Sequence, residues 1–527
     1  MSFMRKLKRL MHKGGVKLGL IKTNSLKSIT DDPRIKVPAE EYDRIRATKR
    51  YYQDNLPKVE YWTMSGQKKR QLNSINMIKQ VSQQMATLMF NEQCSIKVND
   101  QALQAQLDEI LKNTNFYLDA EMNLDPWIAL GSGAVRPYVQ NDQIKLSWAN
   151  ALDAYPLEAN TTHVDQIALS RRIQKVENDV TVYYTLLEFH QWGTYQQDDQ
   201  GNVYRPYTIT NELYRSTDPN TVGDQVPLDS IDEYADLQKQ TTFQHLKKPL
   251  FAFYRNPGAN NKNFVSPLGM GICDNCRSTL DDINRVHDGF AWDVKTGYRR
   301  VTIPLSWMRR QSNMNGKPVP EDAVFVPINA RTDDTSAFKD LAIEIRVDQY
   351  QGAMDFFLKE LENELHLSEG TFTTTPQGVQ TATEVVTNNS KTYQTRSSYL
   401  TMFEKTIDQL VYAIAELLAT PELWSDGKPR WSGDIDSLVI TPDFNDGVFV
   451  DQEAKRASDL QAVQAGILPK RQFLIRNYNL SEQEADKWLK QVQDEQSPTP
   501  PDQEMSMLPG GEVNDEQDKQ RSDDAEG

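Results

Sequence analysis

Residues 256–290 read NPGANNKNFVSPLGMGICDNCRSTLDDINRVHDGF. Ser266-Pro267 is an N-cap residue followed by proline at the first helical position, where the missing N–H costs nothing. Behind it Ile272, Cys276, Leu280, Ile283, Val286, Phe290 and Val294 recur at spacings of three or four, which predicts a helix over 266–297. On its C-terminal side, 299–347 alternate as short strands and turns (RRVTIPLSW, AVFVPINA, LAIEIRV), with Asn315-Gly316 as a turn signal. A second helix is predicted over 348–368, with Tyr350, Met354, Phe357, Leu358, Leu361 and Leu365 on one face. The stretch GTFTTTPQGVQ (370–380) is Thr-rich, uncharged and punctuated by Pro376 and two glycines, so it is predicted to be a loop. Thr381-Ala382-Thr383-Glu384 fits a capping box opening a long helix to about Thr420. That helix is amphipathic through Tyr399, Leu400, Phe403, Ile407, Leu410, Val411, Ile414 and Leu417. Residues 451–493 form a last helical region, broken by Gly466 and Pro469, with Ser481–Glu484 as another capping box.

On the N-terminal side the period changes twice. Helices are predicted over 40–56, 71–91, 101–112 and 117–130, with a short strand CSIKVN before the third and a Gly131-Ser132-Gly133 break after the last. From Ala134 to about Tyr214, β-branched and aromatic segments such as QIKLSWA and VTVYYTLLEFHQW are separated by Asn, Asp and Gly turns, predicting mostly antiparallel strands. The fold class is therefore α+β and mainly helical, and 527 residues suggest about three or four domains.

The formal charge is −15, from 59 Lys plus Arg against 74 Asp plus Glu, which argues against coating nucleic acid by bulk charge. Charge is unevenly placed. The first 27 residues carry eight bases (Arg5, Lys6, Lys8, Arg9, Lys13, Lys17, Lys22 and Lys27) and no carboxylate, whereas from Asp494 onward eleven acids face only Lys519 and Arg521. The tail has almost nothing to bury and is expected to be flexible. Mean hydropathy is −0.65, and no apolar run approaches the roughly 20 residues of a membrane span. Three cysteines cannot build a disulfide framework for this length, so a reducing compartment is expected.

Catalytic and cofactor signatures are missing. No G-x-x-x-x-G-K-[ST] loop, H-E-x-x-H, G-x-S-x-G or paired C-x-x-C occurs. Cys273-Asp274-Asn275-Cys276 is a lone C-x-x-C inside the expected helix, without the four ligands of a zinc site, and is read as packing. No catalytic residue, metal site or cofactor is expected. The alternative from a different class is a DNA-processing enzyme, a metal-dependent nuclease whose carboxylates are dispersed along the chain.

The 256–290 stretch, followed by EGTFTTTPQGVQTATEVVTNNSKTYQT (369–395), resembles the portal proteins of tailed bacteriophages, in particular the group found in phages of Gram-positive hosts. Supporting stretches are LNSINMIKQVSQQMATLMFNEQCSI (72–96), ALGSGAVRPYV (129–139), ITNELYRS (209–216) and PLFAFYRNPGANN (249–261). The resemblance covers roughly 40–420. It implies a ring of about twelve subunits at one capsid vertex, around an axial channel for double-stranded DNA. The implied partition is a basic arm (1–39), a wing (40–265), a first stem helix (266–297), a clip (298–347) and a second stem helix (348–370). A tunnel loop (371–380), a long wing helix (381–420), a connection (421–450), a helical crown (451–493) and the acidic tail (494–527) complete it. Phe372, Thr373, Thr374, Thr375 and Gln377 are the loop residues expected to approach DNA, since an uncharged loop touches phosphates without gripping them. Implied partners are further copies of the chain, the terminase large subunit, the major capsid and scaffold proteins and a head-completion adaptor, with no membrane. The expected location is the virion's portal vertex, after assembly in the host cytoplasm.

Overall fold

The computed structural model describes residues 24–63, 66–90, 94–158, 163–198, 201–297, 300–304, 325–329, 339–340, 344–373, 390–444, 452–478 and 480–496. The chain divides into two compact units, 1–449 and 450–527, fewer than length alone suggests. Within the first unit one apolar cluster joins residues of 77–129 to residues of 399–444, so these segments share one core.

The first helices form where the apolar spacing is clearest. Ala39–Tyr52, Met77–Met89, Gln101–Asn113 and Phe116–Leu130 are α-helical. Two begin later or end sooner than periodicity suggests. Asn76 caps the second by accepting from the Lys79 N–H, so 71–76 stay outside it. Ile78, Val81, Met85 and Met89 face inward, as their spacing predicts, and Met77 is buried beside them. The fourth helix stops at Gly131, which takes the left-handed conformation (φ +95°).

The strand-rich region is antiparallel throughout. Tyr207–Ser216 is the centre of a seven-stranded sheet, pairing along its full length with Val180–Trp192 and, on its other edge, with Gly223–Val226 and Gln240–Phe243. Val180–Trp192 continues to Ile167–Glu177 and then Ala154–Pro156. A separate three-stranded sheet places Ser132–Gln140 between Ala252–Arg255 and Gln143–Asn150. The two-residue turns Asn141-Asp142 and Asn178-Asp179 have both φ values positive, the geometry that matches strand twist, and they fix the register on either side.

The helix predicted from Ser266 begins at Arg277 and runs to Thr296. Ser266 does accept from the Leu268 N–H, but its hydroxyl is donated to Glu41, and no helix forms there. The Gly269 N–H donates to Ser132 Oγ, the Gly271 N–H to Asp274, and the Ile272 N–H to the Ile128 carbonyl. Two of these backbone donors are thus taken by residues near 130 and the third by the side chain of Asp274, not by helical turns. Gly269 and Gly131 make this possible: a Cβ on Gly269 would lie 2.3 Å from the Gly131 carbonyl oxygen. Cys273 and Cys276 are buried, yet they lie in this non-helical approach and not inside the helix.

Beyond Thr296 the described strands are Val301–Pro304 and Phe325–Ile328, paired in parallel. Asp340 bridges Val301, and 344–346, expected as strand, are not. Asn315-Gly316 lies outside the described residues. The next helix is Val347–Glu364, ending before the expected 368. The long helix is described over Ser390–Ala419; Thr381–Glu384 lies outside the described residues. Its apolar face packs Phe403, Ile407, Leu410, Val411 and Ile414 against Met85, Met89, Trp127 and Tyr254 in the main core. Ile440–Asp443 pairs with Ser95–Val98, so CSIKVN is a strand whose partner lies near the far end of the unit.

The second unit holds Gln452–Gln464, Lys470–Tyr478 and Glu482–Gln496. Gly466 (φ +73°) and Pro469 separate the first two. Ser481 and Glu484 cap each other reciprocally, Glu484 N–H to Ser481 Oγ at 3.3 Å and Ser481 N–H to Glu484 Oε2 at 2.9 Å.

Candidate nucleic-acid interface

Two helices lie side by side ahead of the Thr-rich segment, Arg277–Thr296 and Val347–Glu364. They are joined at one end by Thr279 Oγ1 donating to Glu364 at 2.8 Å. Further along, the Tyr350 hydroxyl and Arg346 both donate to Asp293, at 2.8 and 3.0 Å, and the rings of Phe290 and Tyr350 lie 5.5 Å apart. Gly289 sits opposite Tyr350, where a Cβ would already touch the ring at 3.4 Å. Val347–Glu364 carries Asp348, Asp355, Glu360, Glu362 and Glu364 against Lys359 alone. Asp355, Glu360 and Glu364 are exposed, so this helix presents an acidic surface.

The second helix ends in a Schellman motif. The Leu367 N–H donates to the Glu362 carbonyl and the His366 N–H to the Asn363 carbonyl, with His366 left-handed at φ +54°. The reversal brings the chain back onto its own helix. The Glu362 side chain, fully buried, accepts from the Phe372 N–H at 2.6 Å, the Thr373 N–H at 3.1 Å and the Thr373 hydroxyl at 3.3 Å. Between them, the Gly370 N–H donates to Thr373 Oγ1, and Thr371 Oγ1 to the Ser368 carbonyl.

A second tie closes the base. The Ser368 N–H donates to Thr392 Oγ1 at 2.8 Å, and the Thr392 N–H to Ser368 Oγ at 3.3 Å, both residues being buried. Thr395 Oγ1 adds a bond to the His366 carbonyl at 2.8 Å. The excursion between Ser368 and Thr392 therefore leaves and re-enters at one place.

Of the five residues singled out in the sequence, Phe372 is partly buried against the main core and Thr373 is buried. Thr374, Thr375 and Gln377 lie outside the described residues. Glu362, Ser368 and Thr392 escaped the sequence reading. A carboxylate in the last turn of a helix opposes the helix dipole, and that misplacement was the available signal for Glu362.

One buried cluster has the residue types of an active site. Glu188 accepts from His190 Nε2 and Arg136 Nε, each at 2.7 Å, and His190 Nδ1 lies 2.8 Å from the Tyr207 hydroxyl. Burial alone would raise the Glu188 carboxyl, but Arg136 and His190 hold it down to about 2, while burial lowers His190 and raises Tyr207. Each group is thus shifted away from proton exchange near neutrality, which suits a structural network. Among the described residues no three His, Cys, Asp or Glu side chains are grouped to hold a metal ion, and no helix is long and apolar enough to cross a membrane.

The sequence model of the family described as phage portal protein, SPP1 Gp6-like, matches residues 32–498. No curated protein matches the chain in sequence. A chain in the solved structure of the virion of a native gene transfer agent particle aligns with a TM-score of 0.38 at 7% identity, over 82% of this chain and 98% of that one.

Proposed function

The chain belongs to the SPP1 Gp6-like family of phage portal proteins, and we propose that in this role it forms a ring, of about twelve copies, around a channel through which double-stranded DNA enters and leaves the capsid. Arg277–Thr296 and Val347–Glu364 are the stem helices of each subunit, and the residues between them are the clip. The elements before Arg277 and the long Ser390–Ala419 helix make the wing, and the helices of 452–496 make the crown. The segment 371–380 faces the channel, with Thr374, Thr375 and Gln377 as its DNA contacts. The terminase large subunit and a head-completion adaptor dock on the ring, which sits among major capsid and scaffold proteins. Assembly takes place in the host cytoplasm before the protein is locked into the virion, and no enzymatic step is assigned to it.

The observation that carries this reading is the acidic Val347–Glu364 helix leading into an uncharged, Thr-rich segment. A wall with a negative helix surface and a neutral constriction lets a phosphate backbone slide. Basic contacts would instead exchange counterions with the DNA and hold it. Electron microscopy of the purified full chain tests the assembly: rings are expected, and a persistent 60.4 kDa monomer rejects it. Thr374→Lys with Thr375→Lys tests the channel. Rings persist while packaged DNA falls severalfold, and unchanged packaging removes the segment from the channel.

A further inference from the structure

We infer that Glu362 is the positioning residue for the root of the 371–380 segment, and that Phe372 and Thr373 anchor that segment instead of meeting DNA. The inference rests on the channel assignment above for its consequence, and on the geometry around Glu362 for its substance.

A buried carboxylate costs several kcal/mol unless hydrogen bonds replace its water. Glu362 is fully buried, and among the described residues its side-chain donors all come from Phe372 and Thr373. The Val347–Glu364 helix gains nothing from this acid, because a negative charge in the last turn faces the negative end of the helix dipole. The position becomes favourable only when the chain folds back to supply two N–H groups and a hydroxyl. Geometry makes the return short: the Glu362 backbone carbonyl takes the Leu367 N–H, so one residue both ends the helix and receives the returning chain. Phe372 spends its ring on the main core, and Thr373 keeps only 9% of its surface exposed. Both N–H groups and the Thr373 hydroxyl are donated to Glu362, so neither residue keeps a donor to offer a phosphate. Direct contacts are left to residues beyond Thr373.

Hydrogen exchange on the assembled full chain decides this. In Glu362→Ala the peptide holding Phe372 and Thr373 is expected to exchange about tenfold faster or more, with the Val347–Leu361 amides and ring size unchanged. Unchanged exchange of that peptide overturns the inference. So does a loss of protection spread along the helix, which makes Glu362 a residue of helix stability alone. Should Glu362→Ala not assemble, Glu362→Gln and Thr373→Val replace it; each weakens part of the clasp, and no acceleration in either overturns the inference. DNA packaging by the Thr374→Lys, Thr375→Lys chain reads the channel assignment separately. Normal packaging there, with the Phe372–Thr373 peptide freed in Glu362→Ala, leaves the clasp standing and removes its role toward DNA.

Discussion

Arg70 and Asp288 meet through two parallel hydrogen bonds, Nη1 to Oδ1 at 2.5 Å and Nη2 to Oδ2 at 2.6 Å. The Arg70 guanidinium also lies over the Trp292 ring, and Asp288 accepts the Asn73 N–H at 2.9 Å. The pair straps the Val59–Arg70 hairpin to the Arg277–Thr296 helix.

Removing either partner leaves a mostly buried charge short of its bonds, so Arg70→Ala or Asp288→Ala is expected to cost about 1.5–3 kcal/mol. A double-mutant cycle in urea checks it, and a coupling energy near zero rejects the strap. Lysine at 70 is not expected to restore the pair, because it lacks the planar fork. The Arg70 bond holds the Asp288 carboxyl below its ordinary 3.8. This contribution is complete above that value and is lost only as pH falls through the lower, folded-state value.

Glu416 shows the opposite sign. It lies in the long helix, and its Oε1 accepts the N–H groups of Lys247 and Lys248 at 2.6 and 2.7 Å. Burial pushes its carboxyl from 4.5 up to about 7, against the lowering effect of those N–H groups. Between these values the folded chain holds a proton that the unfolded chain releases, so this group's contribution falls as pH rises from about 4.5 to 7 and is flat above. Glu416→Gln keeps the acceptor and removes the titration. It is expected to abolish a pH-dependent difference on the order of 2–3 kcal/mol across that window. Identical pH profiles of melting for the two proteins contradict this.

What could be read from the sequence divides along the range of the forces involved. Met77–Met89 and Ser390–Ala419 were legible because one apolar face decides them. The Asn-Asp turns bounding the sheet strands were legible because two adjacent residues fix the geometry. The approach to Arg277 misled because Ser266, Pro267 and the apolar spacing read as a helix start in spite of Gly269 and Gly271, while the deciding contact is with Gly131 in a distant segment. Of the five residues singled out for DNA contact, Phe372 and Thr373 bond to Glu362 within the chain, and composition carries no sign of that. Phe372 and Thr373 reach Glu362 only after the His366 reversal, and no periodicity encodes that return.

Gly131 and Gly269 offer a test of the backbone contact. A Cβ on Gly131 would lie 2.5 Å from the Gly269 carbonyl oxygen, on a residue already at φ +95°. Gly131→Ala is expected to cost about 2–5 kcal/mol, from left-handed strain plus overpacking. Gly258, at φ +87° with open space around it, is the control and is expected to cost only about 1–2 kcal/mol. Equal losses of melting temperature in the two variants contradict the close approach.

The three thiols are simpler. Cys94, Cys273 and Cys276 are buried and carry no disulfide. Burial raises Cys273, and pushes Cys276 up to about 12 with help from Glu364. Since the thiolate is the reactive form, a disulfide reagent is expected to label none of the three in the native protein and all three in guanidinium. Rapid labelling of a native thiol contradicts this burial, and a metal chelator is expected to leave the melting temperature unchanged.

The reciprocal bonds between Ser368 and Thr392 separate the length of the chain between them from everything else the helices must do. Because Ser368 and Thr392 are tied at one spot, a change in chain length between them need not disturb this contact. For a flexible connection in general, doubling the length adds only about 0.6 kcal/mol of closure entropy. If the segment lines the channel as proposed, its bore can vary through small insertions and deletions between these two residues, and the rest of the subunit need not be redesigned to accept them.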